Sequence, residues 1–310
     1  MSKMATVFPG QGSQSVGMLA ALAEAWPQVQ ETFAEASEVL GEDLWALVQQ
    51  GPAEALNRTD RTQPAMLAAG VAVWRVWQAA GGPMPVAMAG HSLGEYSALV
   101  AADTLPFADA VKVVEARARA MQEAVPEGTG AMAAILGLDD DQVRALCEAE
   151  AQGQVLEPVN FNSPGQVVIA GHAEAVARAT AAAKAAGARR ALVLPVSVPS
   201  HCTLMAPAAE RLAEVLAGVK IIKPRIPVLH NVDVATHDDP DGIREALRLQ
   251  LHSPVRWVET IRALAAGGAS TVIELGPGKV LTGLNKRIDR QLQALAVEDP
   301  DSLAAALQAD

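Results

Sequence analysis

Three hundred and ten residues, half of them hydrophobic, can bury a large core without disulfides. The two cysteines, Cys147 and Cys202, give neither a disulfide framework nor metal-ligand spacing, so a reducing, cytoplasmic setting is expected. Against 24 basic residues stand 35 acidic ones, a formal charge of −11 with no basic block, and no apolar run is long enough to span a bilayer; neither nucleic acid nor a membrane is an expected partner.

In chain order, strand signals fall at Ala5–Phe8, Val86–Ala89, Ala131–Leu136, Gln166–Ala170, Arg190–Val196, Ile226–His230 and Thr271–Leu275, with helical stretches between most of them. That alternation predicts an α/β protein with a largely parallel sheet. Met1 to Phe8 is too short an apolar stretch for a signal peptide and reads as the first strand. Gly17 to Gly82 reads as several helices, among them the Ala-rich Gln63–Ala79. From Gly128 to Pro199 the pattern changes: strand, helix from Asp139, two short strands around the turn Asn162-Ser163-Pro164-Gly165, helix, strand. This βαββαβ order is the ferredoxin-like pattern and predicts a small unit inserted between Ser92 and His201, with substrate in the cleft between two bodies. The plainer alternative is that it extends one continuous sheet.

Gly90-His91-Ser92-Leu93-Gly94 follows an apolar strand and precedes a helix, the context of a nucleophile elbow. The Leu93 N–H then lies at a helix N-terminus, where it can stabilise an oxyanion; the plain reading is a serine capping a helix. A serine hydroxyl needs a base. Of six histidines, His201 has the best setting, after Val198-Pro199-Ser200 where the chain re-enters the cleft, and His230 is second. No acidic third member stands out: Asp103, Asp109 and Asp139 to Asp141 each fit a loop or a helix start, so a carbonyl or an amide is an equally good acceptor for the imidazole. Arg117 shares a helical apolar stripe with Phe107, Ala110, Val113, Val114 and Met121. A guanidinium there requires an anion or several acceptors, either a substrate carboxylate or an internal ion pair. The Phe8-Pro9-Gly10-Gln11-Gly12 loop ends a strand and can lend an N–H to an oxyanion hole or simply connect strand to helix.

The chain resembles the malonyl-CoA:acyl carrier protein transacylases of bacterial fatty-acid synthesis over essentially its whole length. The matching blocks are Phe8-Pro9-Gly10-Gln11-Gly12-Ser13-Gln14, Gly90 to Ala98, Arg117 with Met121-Gln122-Glu123-Ala124, Gly128 to Met132, Asn160 to Gln166, Ser200-His201-Cys202 and Glu274 to Gly278. The resemblance implies that Ser92 is acylated, that His201 is its base, and that the N–H groups of Gln11 and Leu93 form the oxyanion hole. It implies that Arg117 holds the malonyl carboxylate and that the Gln250 main-chain carbonyl orients His201. His91, Met121, Asn160 and Asn162 support pocket and loops. The implied fold is a large α/β-hydrolase-like domain with a mostly parallel sheet, residues 1–127 and 199–310, interrupted by a small ferredoxin-like α+β domain, residues 128–198.

No permanently bound cofactor or metal is implied. Malonyl-CoA is the substrate, and the acceptor is the phosphopantetheine thiol of acyl carrier protein, a transient partner; the chain itself is expected to be a monomer. Because carrier proteins of this kind are acidic, a local basic rim is expected, with Lys286, Arg287, Arg189 and Arg190 as candidates. Two positions depart from the family's usual pattern: Asp103 and Ala118 stand where Gly is common. A serine thioesterase, releasing acid to water through the same serine and histidine, is the competing enzyme, against which Arg117 and the full set of blocks favour transfer; a noncatalytic carrier-binding protein is the competing class, against which intact Ser92 and His201 speak.

Overall fold

The computed structural model describes residues 3–196 and 198–309, so the Met1-Ser2 start of the N-terminal stretch and the outer limits 1 and 310 of the large expected domain lie outside the described residues, as does Ser197 within the small one. The strands are β1 (Met4–Phe8), β2 (Ala87–Gly90), β3 (Gly130–Leu136), β4 (Leu156–Ser163), β5 (Gln166–His172), β6 (Arg190–Val193), β7 (Val228–Leu229), β8 (Thr271–Leu275) and β9 (Gln293–Val297). They form two sheets. One is five-stranded and parallel at every pairing, in the order β7-β2-β1-β8-β9; the other is four-stranded and antiparallel at every pairing, in the order β4-β5-β3-β6.

β1 is buried at every residue because helices cover both faces of the parallel sheet. On one face Phe8 and Met88 pack with the Thr59–Ala79 and Phe107–Ala124 helices; on the other Ala5, Val7 and Ala89 meet Trp257 and Ile261. A third cluster, including Ile135, Val143, Ile169 and Val176, lies between the antiparallel sheet and its two helices. The first of these, Asp140–Ala151, starts on a capping box in which the Asp139 side chain accepts from Gln142 N–H and Gln142 returns the bond. Val255 ties the two sheets together, donating its N–H to Val159 O at 2.8 Å and accepting from Phe161 N–H at 3.0 Å. Among the described residues no helix is long and apolar enough to cross a membrane.

The expected α/β-hydrolase-like domain interrupted by a ferredoxin-like one is corrected by these sheets. The fold is an α/β arrangement of its own, one parallel and one antiparallel sheet with helices dispersed over both. The hydrolase expectation leaned on the elbow, a local strand–turn–helix device that sheets of different topology can carry, and the order of elements along a chain does not fix which strands pair. Periodicity also gave no sign of β9, and two expected strands are shorter than their apolar runs: Ile226–His230 contracts to Val228–Leu229 and Arg190–Val196 to Arg190–Val193.

Asp103 sits at φ 58°, a left-handed position that explains why glycine is the easy choice there and why an Asp is tolerated. Ala118 is fully buried in the Phe107–Ala124 helix.

Candidate active site

β2 ends at Gly90 and the Gly94–Ala101 helix begins four residues on, so the chain must reverse across His91, Ser92 and Leu93. Ser92 achieves this at φ 51°. The flanking glycines are demanded by close approach: a Cβ on Gly90 would lie 1.9 Å from the Gly94 carbonyl carbon, and one on Gly94 would lie 2.0 Å from Phe8 O. A Cβ on Gly10 would come within 2.4 Å of His91 O, so the Pro9-Gly10-Gln11 loop lies directly against the elbow. Asn231 braces the turn from behind. Its Oδ1 accepts Ser92 N–H at 2.7 Å and its Nδ2 donates to Gly90 O at 2.7 Å.

His201 enters from the segment after the antiparallel sheet, also at positive φ (68°), with its N–H bonded to Leu251 O at 3.0 Å. Its Nε2 is 2.7 Å from Ser92 Oγ and its Nδ1 is 2.8 Å from Gln250 O. A carbonyl can only accept, so Nδ1 carries the proton and Nε2 presents its lone pair to the serine hydroxyl. Burial, reinforced by the positive charge of Arg117, pushes the His201 pKa down to about 3 and keeps the ring neutral. The other candidate base, His230, turns away to bond Glu95 at 2.7 Å, and His91 is bonded through Nε2 to Asn162 Oδ1 at 2.8 Å.

Arg117 is 1% exposed, which puts it on the buried stripe read from the sequence. Its partners are neutral: Gln63 Oε1 at 2.7 Å, Gln250 Oε1 at 3.1 Å and Ser92 Oγ at 3.2 Å. Its Nε has no partner, and no carboxylate among the described residues lies within ion-pair distance. The internal ion pair weighed against a substrate carboxylate is therefore absent from the described residues. Burial lowers the guanidinium pKa from its ordinary value, but an arginine remains charged.

These groups line one cavity of about 160 Å³, walled also by Gln11, Leu93, Met121, Asn160 and Asn162, with Met132, Val168 and Leu194 contributed by the antiparallel sheet and the segment after it. Gln250 stands behind the cavity and reaches it through its carbonyl and its amide. Sequence reasoning missed Gln63, Glu95 and Asn231. Gln63 and Glu95 carried the same signal as Arg117, a polar residue within an apolar helix; Asn231, after a two-residue strand, carried none. Among the described residues no group of three His, Cys, Asp or Glu side chains is arranged to hold a metal ion. A hydroxyl facing a neutral imidazole, beside a helix N-terminus and a cation with no carboxylate in direct contact among the described residues, can form and release an ester of an acyl group that bears its own carboxylate.

That chemistry is the chemistry of acyltransferases, and the family model described as "Acyl transferase domain" matches residues 6–300. A malonyl CoA-acyl carrier protein transacylase of Salmonella typhimurium is 63% identical over 307 residues, covering 99% of each chain. The chain belongs to the malonyl CoA-acyl carrier protein transacylase family. A crystal structure of an acyl carrier protein S-malonyltransferase from Vibrio cholerae superposes with a TM-score of 0.95 at 61% identity, covering 98% of this chain and 99% of that one. A malonyl-transacylase solved in complex with a type II PKS acyl-carrier protein gives a TM-score of 0.98 at 60% identity, covering 99% of both.

Proposed function

We propose that the chain moves a malonyl group from malonyl-CoA through an ester on Ser92 to the phosphopantetheine thiol of acyl carrier protein, supplying fatty acid synthesis. The observation that carries this reading is Arg117: a buried guanidinium with no carboxylate partner among the described residues, 3.2 Å from the serine hydroxyl. An acyl group ending in a carboxylate supplies the missing anion; acetyl does not.

In the first half-reaction Ser92 Oγ attacks the thioester carbonyl while His201 Nε2 takes its proton. The oxyanion is received by the Gln11 and Leu93 N–H groups, and its collapse expels the CoA thiolate, which leaves with the proton held on His201. The carrier thiol then gives its proton to His201 and attacks the ester carbonyl; collapse breaks the Ser92 Oγ–acyl bond, and the serine oxygen takes the proton back from His201 Nε2. Arg117 disfavours an imidazolium beside it, so a neutral pocket would make His201 a poor base. A malonyl carboxylate seated on the guanidinium cancels that field and strengthens the base when the right substrate is present.

His91 and Asn162 hold the elbow to the β4 edge, while Met121 and Asn160 shape the cavity. We take residues 128–198 as a unit inserted into 1–127 and 199–310, and the chain as a cytoplasmic monomer with no bound cofactor. The exposed Lys286, Arg287, Arg189 and Arg190 form no ion pair among the described residues and suit an acidic carrier protein.

The test is intact-mass measurement of the purified chain with malonyl-CoA alone, followed by peptide mapping. A malonyl adduct on Ser92, lost in Ser92→Ala and discharged onto added carrier protein, is expected. Free malonate appearing as fast as CoA, with the carrier unloaded, would make the chain a hydrolase instead.

A further inference from the structure

We propose that Glu95 is a positioning residue for acyl selectivity: its buried carboxylate sets which way the Gln250 amide faces, and that amide holds Arg117 in the acyl pocket. The inference rests on the reading of Arg117 as the partner of the substrate carboxylate.

Glu95 is wholly buried in the first turn of the helix that follows the elbow, and three donors converge on it from remote segments. Oε1 meets His230 Nδ1 at 2.7 Å; Oε2 accepts Asn231 N–H at 2.9 Å and Gln250 Nε2–H at 2.8 Å. Gln250 Nε2 also reaches Ser92 O at 3.1 Å, while its Oε1 accepts from Arg117 Nη2 at 3.1 Å. The amide therefore stands between an acceptor surface and a donor. If it turned over, Oε1 would face the Glu95 carboxylate and the Ser92 carbonyl while Nε2 would face the guanidinium, replacing three attractions by three repulsions. Gln63 fixes Nη1 from the other side, so the guanidinium is gripped by two amide oxygens, with the nearby Glu95 charge reaching it only across the Gln250 amide.

Gln250 thus serves the site twice, through its main-chain carbonyl on His201 and through its side chain on Arg117. Glu95 acts on the second function without touching the acyl group. Loosening it should let Arg117 wander from the carboxylate position while the Ser92–His201 pair, held by the Asn231 side chain and the Gln250 main-chain carbonyl, continues to work.

Single-turnover loading of Ser92 by malonyl-CoA and by acetyl-CoA, read by quench and intact mass, tests this in the parent chain, Glu95→Ala, Glu95→Gln and Arg117→Ala. In Glu95→Ala the malonyl-to-acetyl ratio of kcat/KM should fall about tenfold, the scale of one buried hydrogen bond to a charged group, chiefly through KM for malonyl-CoA. Glu95→Gln should keep the parent ratio. Its Oε1 still accepts from Asn231 and Gln250, and its amide can donate to His230 Nδ1 once that ring shifts its proton to the unpartnered Nε2.

Parallel loss of malonyl and acetyl loading in Glu95→Ala would reduce Glu95 to a structural residue and overturn the inference. So would loss of the preference in Glu95→Gln, because charge rather than amide orientation would then be responsible. If Glu95→Ala does not fold, Gln250→Met, which keeps the main-chain carbonyl but removes the amide, must show the same fall in ratio; an unchanged ratio overturns the inference. Arg117→Ala separates the two levels: if it alone abolishes the preference, only the Glu95 assignment fails, and if it leaves the preference intact, the reading of Arg117 fails with it.

Discussion

Arg117 Nη2 donates to Ser92 Oγ at 3.2 Å while His201 Nε2 approaches the same oxygen at 2.7 Å, so this hydroxyl lies between a fixed cation and a neutral imidazole. The two neighbours make different demands on an incoming acyl group. In the proposed roles, His201 would respond to any thioester, but Arg117 would distinguish acyl groups by whether they bring a negative charge. Arg117→Ala should therefore lower kcat/KM for malonyl loading by about 100-fold, roughly 3 kcal/mol, the scale of a buried charge-assisted pair. Acetyl loading should hold or rise, because the cation opposing His201 is gone. Equal losses for both acyl groups, measured as Ser92 adduct per turnover, would contradict this.

The pH dependence follows from His201, held down at about 3 against an ordinary 6.5. Between those values the unfolded chain takes up a proton that the folded chain refuses, so this group's contribution to stability falls as pH drops through that window and is constant above it. The base itself stays neutral, so kcat/KM for malonyl loading should show no acid limb near pH 6.5. In the complex the substrate carboxylate offsets Arg117, so the acid limb of kcat should lie at higher pH than that of kcat/KM. Rapid-quench loading between about pH 8 and pH 5 should show kcat/KM flat, with any acid limb confined to kcat; a kcat/KM limb centred on the ordinary histidine value would refute the assignment.

Asn231 holds the elbow shut with one bond to Ser92 N–H and one to Gly90 O. Asn231→Ala strands both buried groups and should cost about 2–3 kcal/mol of stability. Because it disturbs the nucleophile and not the clamp, malonyl and acetyl loading should fall together, opposite to the pattern expected for Arg117. Thermal melts and the same loading assay check the two halves of this expectation.

Lys286 and Arg287 stand exposed on the Val280–Ile288 helix. Lys286→Glu and Arg287→Glu should slow discharge of malonyl-Ser92 to carrier protein, and the slowing should shrink as salt is raised. Loading from malonyl-CoA should be unchanged, and equal effects on both steps would remove these residues from the docking surface.

Much of the site was legible because three of its residues broke a local rule. Ser92 sat between glycines after a strand, His201 followed a stiff Pro199 where the chain left the antiparallel sheet, and Arg117 interrupted an apolar stripe. Gln63 and Glu95 broke the same rule within their own helices, but amides and carboxylates are commoner there than a guanidinium, and neither declared its partner. Glu95 bonds His230, Asn231 and Gln250 from 135 to 155 positions away, and such convergence exists only once the sheets have formed. Architecture was less legible for the same reason. The strand positions were mostly apparent from apolar runs, whereas the division into a parallel and an antiparallel sheet depends on pairing, and β9 had too little alternation to be seen.

Ser92 and His201 both hold positive φ, 51° and 68°, in residues that carry a Cβ. Each such residue opposes folding by about 1–2 kcal/mol, so the pair proposed to perform the reaction is also among the least comfortable stretches of backbone among the described residues. Durability and activity therefore pull in opposite directions at these two positions. A library of variants selected only for survival on heating would be expected to drift toward glycine at 92 and 201, yielding sturdier chains that transfer nothing.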